Sequence, residues 1–362
     1  MKVAIIGFCN LNIMQYLYKY TNILDQAHIR YDVIYWNRLG IHEEKNFKGT
    51  KISYNYEINT YQPFHKKIKS FLEYAIFIRR IIKHKKYDKL IILTTQSAIV
   101  LTDLLLVKYR KRYIYDYRDI TKEKKSKLYN MLVKKIIKKS FCTMMSSEGF
   151  SQEIGLRDKS NIQIAHNTQL AEKSCYEHRI KQDVDPIKIV FWGIVRQLEY
   201  NKKICDCFGN DKRFELIFHG TGEYKELNRY CQRKKYKNIY FTGVFNQKDI
   251  AGFADETDIL HCVYENDEEQ KPAMPVKAYD AIKYRLPVLI NRDCQVEKFF
   301  KGIQGALAID ILDKKATDLI YEWYRNLDEK IVKNNYQDLE EKVLQDDISF
   351  KNRLKDFVGE VE

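Results

Sequence analysis

The sequence predicts an α/β protein made of two doubly wound, Rossmann-like domains that face a cleft. Three observations predict this fold class. Short apolar runs typical of buried strands alternate with helical patterns through the first half of the chain. A polar, irregular segment over residues 171–186 interrupts the alternation, which then restarts. The length of 362 residues suits two domains, and the 45% of hydrophobic residues can fill a core in each.

The first predicted domain covers residues 1–170. Its strands are predicted over 3–8, 31–36, 90–94, 113–117, 140–146 and 161–167. A helix follows the first strand, and apolar residues at helical spacing predict another over 64–86. The run 90–107 resembles a membrane span, but an acid such as Asp103 inside a span costs about 2.5–3.5 kcal/mol. We therefore expect a strand, a turn and a helix there, and no transmembrane helix.

The second predicted domain covers residues 187–335 and repeats the same pattern. Its strands are predicted over 187–193, 214–220, 238–243, 258–263 and 286–291, with a helix over 276–284. The last segment, 336–362, is charged and helical in pattern, and it can return to the first domain. In open α/β sheets ligands bind beyond the carboxyl ends of the strands, so we expect the functional residues there.

The first strand of the second domain ends in a segment suited to a phosphate group. Gly193 lets backbone N–H groups approach a phosphate, and a helix N-terminus after it favours negative charge. Arg196 and Lys202 or Lys203 add cations for a diphosphate. The alternative is an ordinary strand-to-helix turn with solvated cations.

Two further segments after predicted strands point to the same ligand chemistry. Gly220 and Gly222 form a short glycine-rich turn, which alone is a weak signal. Lys277 and Asp280 are three residues apart and so share one face of the 276–284 helix. We expect Lys277 near a phosphate and Asp280 as acceptor of hydrogen bonds from ribose hydroxyls. The alternative is a surface ion pair.

In order and spacing, these segments resemble the nucleotide-binding half of bacterial group 1 (family 4-like) glycosyltransferases of the GT-B fold. Members of that family act in capsule and exopolysaccharide assembly. The resemblance covers about residues 187–300, and the first half matches in pattern only. The matching residues are Gly193, Arg196, Gly220, Gly222, Pro275, Lys277, Asp280 and Pro287.

One departure from the family concerns its paired acids. Many relatives carry two glutamates separated by seven residues, and Asp280 matches the second of them. The first would fall on Pro272, with Glu268 and Glu269 close by. This departure leaves open the alternative that the protein is a glycosyltransferase-like module without activity.

The resemblance implies transfer of a hexose-like unit from a UDP- or GDP-sugar, with retention of configuration. It also implies a catalytic polar residue after the strand 113–117, where Arg118 and Asp119 are the candidates, together with Arg196. The alternative is that Asp119 or Thr121 caps the next helix. We expect no cofactor and no metal, because no set of His, Asp and Glu has metal-ligand spacing.

The positive charge is confined to the first half of the chain. Residues 1–185 hold 34 Lys and Arg against 18 Asp and Glu (+16), whereas residues 186–362 hold 29 against 31 (−2). The predicted helix 64–86 and a lysine-rich segment over 122–139 carry much of this excess. We expect the first domain to bind the acceptor, and we expect this helix to contact the acceptor or an anionic membrane through Lys66, Lys67, Lys69, Arg79 and Arg80. The alternative is the solvated face of a core helix.

These features predict a cytoplasmic protein bound peripherally to the inner face of the cell membrane. The N-terminus lacks a signal-peptide pattern, and the scattered cysteines are typical of reduced thiols. Its partners would be a nucleotide-sugar donor and a lipid-linked or saccharide acceptor. We expect no nucleic acid among its partners. Two alternatives stay open: a nucleotide-sugar epimerase of the same architecture, and a basic nucleic-acid-binding protein, although no known nucleic-acid-binding pattern occurs.

Overall fold

The computed structural model describes residues 1–14, 16–44, 47–58, 64–120, 123, 125–168, 176–183 and 185–359. These residues form two compact units. Unit 1 is Met1–His166 with Asp346–Glu362, and unit 2 is Asn167–Gln345. The predicted linker, 171–186, falls in unit 2, and its residues 171–175 and 184 lie outside the described part of the chain.

Unit 1 is built on a parallel sheet of seven strands in the order β3-β2-β1-β4-β5-β6-β7. Strands β1 to β7 are Lys2–Ile6, Arg30–Asn37, Thr50–Asn55, Lys89–Leu93, Tyr113–Tyr117, Cys142–Met145 and Ile162–Ile164. Helices α1 to α6 are Leu17–Gln26, Phe64–Lys85, Thr95–Val100, Thr102–Leu106, Lys127–Lys139 and Glu148–Glu153. From β1 the chain adds β2 and β3 on one side, and it then crosses to add β4 to β7 on the other side of β1. Because such connections are right-handed, they place helices on both faces of the sheet.

The sequence prediction missed strand β3. Its side chains are exposed or only half-buried, because it forms the edge of the sheet beside β2. The central strands β1, β4 and β5 are almost fully buried instead, which is why their continuous apolar runs were recognisable.

The apolar run 90–107 does not form one long helix. It folds as β4 followed by the two short helices α3 and α4. Over the described ranges, none of the helices combines the length and the apolar character that a membrane crossing requires.

Unit 2 is built on a second parallel sheet, of six strands in the order β10-β9-β8-β11-β12-β13. Strands β8 to β13 are Ile187–Val195, Phe214–Gly222, Ile239–Gly243, Ile259–Cys262, Val288–Asn291 and Ala306–Ile309. Helices α7 to α13 are Leu198–Phe208, Tyr224–Lys234, Ile250–Glu256, Val276–Tyr284, Gln295–Phe299, Ala316–Arg325 and Glu329–Val358. The predicted parallel α/β class is therefore confirmed in both halves. Strand β13 was not predicted, because it is short and mostly half-buried.

Helix α13 begins in unit 2, and its last part, from Asp346, belongs to unit 1. There Phe350, Leu354 and Phe357 are buried in the core that also holds α1. The end of the chain thus completes the core of the first unit.

Candidate functional site

Three glycines lie at the carboxyl ends of the neighbouring strands β8 and β9. In the sheet register Gly193 lies opposite Gly220, and Val195 lies opposite Gly222. The φ angles of the glycines are +135°, +154° and +84° in chain order, which side chains other than glycine rarely adopt. A Cβ on Gly220 would lie 1.7 Å from the carbonyl oxygen of Gly193. Glycine is therefore a steric requirement of this close strand pair.

Lys277 brings a buried cation to these glycines. It lies in the first turn of α10, and a Cβ on Gly193 would lie 3.2 Å from its Nζ. The Nζ lies 4.0 Å from the ring centroid of Phe191 and donates a hydrogen bond of 2.7 Å to the hydroxyl of Tyr264. Burial lowers the pKa of Lys277 to about 8. The hydroxyl leaves the ammonium with further donors, so it can bind an anion.

Tyr264 is a site residue that the sequence analysis missed. Its backbone N–H donates to the side-chain oxygen of Asn291 at 2.9 Å, and its carbonyl accepts from the same amide at 2.5 Å. These two bonds fix the segment after β11 to the end of β12. The signal that could have identified Tyr264 is its position directly after the predicted strand 258–263.

Asp280 lies one helical turn after Lys277 on α10. One carboxylate oxygen accepts a hydrogen bond of 2.9 Å from the indole N–H of Trp192 on β8. Burial raises the pKa of this carboxyl group. The two side chains therefore have separate partners, Tyr264 and Trp192, whereas the surface-ion-pair alternative required them to bond to each other.

Arg196 follows β8 and is exposed to solvent. Burial is the main cause of the lowered pKa of Lys277, and the positive charge of Arg196 also lowers it. The two cations therefore act on the same region. The next residue, Gln197, has a left-handed φ of +61° and accepts a hydrogen bond of 3.0 Å from the backbone N–H of Glu265. This bond ties the loop after β8 to the loop after β11.

The other two predicted cations lie further along α7. Lys202 forms an ion pair of 2.6 Å with Glu199, and its Nζ lies 5.5 Å from the ring centroid of Tyr230. Lys203 is exposed on the same helix. The structure thus groups Lys277 with the glycines, while Lys202 has a partner within its own helix.

The loop that precedes α10 contains the acids near Pro272. Asp267 accepts hydrogen bonds from the backbone N–H groups of Glu269 at 2.9 Å and Gln270 at 2.8 Å. The side chains of Glu268 and Glu269 are exposed, whereas Pro272 is buried.

In unit 1, Arg118 is buried at the end of β5. Its guanidinium donates to Asp116 at 2.6 and 3.0 Å and to the carbonyl of Ala165 at 3.0 Å. These bonds hold the guanidinium in place, as expected of a structural role. Asp119 is exposed, and α5 is capped by Ser126, which accepts from the N–H of Tyr129, so Asp119 does not cap that helix. Catalytic roles for Arg118 and Asp119 stay predictions.

Over the ranges that the structure describes, no three or more His, Cys, Asp and Glu side chains converge in a way that could hold a metal ion. His166, the lone histidine at the end of the first half, has its Nε2 2.9 Å from a carboxylate oxygen of Asp346 on α13.

Sequence comparisons identify no relative of this chain: no known family model matches it, and no curated protein does. Solved structures do resemble it over its whole length. Sucrose-phosphate synthase from Thermosynechococcus elongatus has a TM-score of 0.72 at 11% identity, over 99% of both chains. HepE of Anabaena, solved with UDP and glucose, has a TM-score of 0.67 at 11% identity, over 100% of both chains.

A third similar structure is the lipopolysaccharide outer core galactosyltransferase WaaB. Its TM-score is 0.65 at 13% identity, over 97% of this chain and 100% of that chain. These likenesses over full chains, together with the two parallel sheets, show that the protein has the GT-B fold. The predicted fold class is confirmed.

Proposed function

We propose that the protein is a glycosyltransferase that moves a sugar from a nucleotide-sugar donor to a lipid-linked or saccharide acceptor. The observation that carries the proposal is the buried ammonium of Lys277 beside Gly193, at the ends of β8 and β9. The similar structures support it, since HepE was solved with UDP and with UDP-glucose. They favour a transferase over an epimerase.

In the proposed reaction, a hydroxyl oxygen of the acceptor forms the new bond to the sugar and releases its proton. The bond between the sugar and the diphosphate breaks, and the leaving diphosphate gains negative charge. Lys277 and Arg196 would neutralise this charge, and Lys202 and Lys203 would add positive potential from α7. Removing one fixed donor of this kind typically costs about 2.7–4 kcal/mol in the transition state. Because these cations act on the diphosphate, the reaction would require no metal.

The rest of the donor would be held by the neighbouring groups. The glycines at positions 193, 220 and 222 would leave room for the phosphates against the backbone. Trp192 donates to one carboxylate oxygen of Asp280. The remaining lone pairs of this carboxylate would accept hydrogen bonds from the ribose hydroxyls. Retention of configuration and a role in capsule or exopolysaccharide assembly complete the proposal.

The donor site can be tested by isothermal titration calorimetry. We expect UDP or GDP to bind with micromolar affinity and to bind equally well in EDTA. Replacing Arg196 by alanine should weaken binding about tenfold or more, because a charge-assisted contact of about 1.5–3 kcal/mol is lost. Arg233→Ala, an exposed arginine at the end of α8, is the matched control and should change nothing.

Two results would count against this part of the proposal. If neither nucleotide binds, the proposal that this site binds a nucleotide-sugar for catalysis is rejected. Binding that disappears in EDTA and returns with manganese would instead reject metal independence.

We also propose that unit 1 attaches the protein to the inner face of the cell membrane. Helix α2 exposes an apolar stripe at helical spacing: Ile68 is 44%, Leu72 56% and Ile76 57% exposed. The cations Lys66, Lys69 and Arg80 are exposed on the same helix. An exposed apolar stripe flanked by cations is what an anionic bilayer binds.

The other predicted membrane cations are placed differently. Arg79 is held by Asp103 at 2.6 and 2.9 Å, so its charge is largely offset. The side chain of Lys67 and the whole of Lys122 and Lys124 lie outside the described residues. On α5, Leu128 and Met131 are 71% and 46% exposed beside further lysines, which is a second apolar site on the surface of unit 1.

Liposome pelleting tests the membrane attachment. The protein should pellet with anionic vesicles at low salt, be released at high salt, and ignore neutral vesicles. Leu72→Ser should reduce pelleting several-fold, since it removes inserted apolar area worth about 25 cal/mol per Å². Leu319→Ser, at an exposed leucine of α12 in unit 2, is the control and should pellet normally.

Equal pelleting with neutral and anionic vesicles would reject the electrostatic part of this mechanism. Absence of pelleting, combined with salt-sensitive binding to RNA or DNA, would favour the nucleic-acid alternative instead.

A further inference from the structure

A cavity of about 750 Å³ lies in unit 1 at the carboxyl ends of β2 and β3. Strand side chains form its floor. Tyr35 lies opposite Ser53, and Asn37 lies opposite Asn55, so these four project from the same face of the sheet. The loop from Gly40 to Glu43 and the residues just after β3 form its walls. We call this space the β2–β3 cavity.

The loop that forms one wall is held in place by a buried acid. The carboxylate of Glu43 accepts hydrogen bonds from the backbone N–H groups of Leu11 at 3.0 Å and Asn12 at 2.7 Å, and from the amide of Asn10 at 3.1 Å. Glu43 is only 8% exposed. Its carboxylate therefore holds the loop in place.

The same loop also lies close to the segment that follows β3. Gly40 has a φ of +62°, and a Cβ there would lie 2.1 Å from a carboxylate oxygen of Glu57. The backbone N–H of Ile58 donates to the carbonyl of Arg38 at 3.0 Å, which joins the loop to the segment after β3. These contacts hold the loop and the segment after β3 together at the rim of the cavity.

The chemistry of the lining selects the class of ligand. Lys51 and Glu57 contribute charges of opposite sign, so there is no cationic excess for a phosphate. The other groups that line the floor are amides, a hydroxyl and the phenol of Tyr35, which both donate and accept hydrogen bonds. Tyr56 adds an aromatic ring that is 37% exposed. Hydroxyl-rich, uncharged molecules match this combination, whereas acyl chains and phosphates do not.

We propose that the β2–β3 cavity binds a neutral saccharide, the sugar portion of the acceptor. The proposal rests on the proposed glycosyltransferase function and adds the class and place of the second substrate. The volume lies within the roughly 300–1,000 Å³ of small-molecule sites. It exceeds what a single sugar ring fills, so the expected ligand is an oligosaccharide.

Saturation-transfer NMR on the full chain tests this proposal, with maltotriose, cellotriose and chitotriose as probes. At least one trisaccharide should give a signal, and inorganic phosphate should not compete with it. Tyr56→Ala and Asn55→Ala should each weaken binding about tenfold, the effect of losing one good contact. Tyr240→Ala, at a tyrosine of β10 that is 45% exposed, is the matched control and should have no effect.

Calorimetry with UDP on the same samples separates the two proposals. If UDP binds but no trisaccharide gives a signal, the saccharide site is rejected and the proposed function survives. The same holds if both variants leave the signal unchanged, or if phosphate displaces the sugar. If neither UDP nor GDP binds the unmodified protein, the proposed function is rejected, whatever the sugars do.

Discussion

Replacing Lys277 by methionine is expected to lower kcat/KM for sugar transfer by about 10²–10³-fold. The ammonium is held between Phe191 and Tyr264 beside Gly193, where little water can screen it. A charge fixed in such a place stabilises a leaving diphosphate without reorganising. Methionine keeps most of the side-chain volume, so the loss would come from the charge. Donor turnover and UDP affinity measure it.

The matched control is Lys225→Met, at an exposed lysine of α8, which should retain full activity. A thermal melt should show that Lys277→Met folds normally, because removing a buried charge relieves its desolvation cost. Wild-type activity in a folded Lys277→Met protein would exclude this lysine from the donor site.

The pH dependence gives a second readout of the same side chain. The pKa of Lys277 is about 8, so its ammonium is charged at pH 7 and mostly neutral by pH 9. UDP affinity should therefore fall as the pH rises through about 8 in the wild type. The Lys277→Met protein should lack this fall, and an equal fall in both proteins would assign it to another group.

Replacing Gly220 by alanine is expected to destabilise unit 2 by more than about 3 kcal/mol or to prevent folding. The new Cβ would lie 1.7 Å from the backbone oxygen of Gly193, which cannot move without breaking the register of β8 and β9. For a unit of this size, we expect Tm to fall by about 6–12 °C, at roughly 2–4 °C per kcal/mol.

Gly302→Ala separates this clash from the backbone strain alone. Gly302 also has a positive φ, +83° against +154° at Gly220, but nothing lies within 4 Å of its added Cβ. Its substitution should cost only about 1–2 kcal/mol, the usual cost of a left-handed conformation. If both alanine variants melt at the same temperature, the close strand pair is not the reason for glycine at position 220.

Part of the candidate site was predictable because it follows a local rule. Glycines and cations just after apolar strands fall at one edge of a parallel sheet, whatever the rest of the fold. Gly193, Gly220 and Arg196 follow that rule, whereas Lys277 and Asp280 were predicted from their spacing on one helix. The structure brings the glycines and the helical residues together through β8, β9 and α10. Tyr264 also lies just after a predicted strand, but a tyrosine in that position does not by itself indicate a binding site. Its role becomes visible only through its hydrogen bond with Lys277.

The sequence by itself determined the fold class, because parallel strands buried on both faces are continuous apolar runs in any context. Only the tertiary structure decided what each charged side chain does. Lys277 is buried against an aromatic ring of β8, Arg118 bonds to Asp116, and Lys202 pairs with Glu199. The tertiary structure also determines strands β3 and β13. Their side chains are partly exposed, but pairing with β2 and β12 keeps both segments extended. The physical reason is that burial and pairing depend on atoms far apart in the chain, whereas apolar periodicity is local.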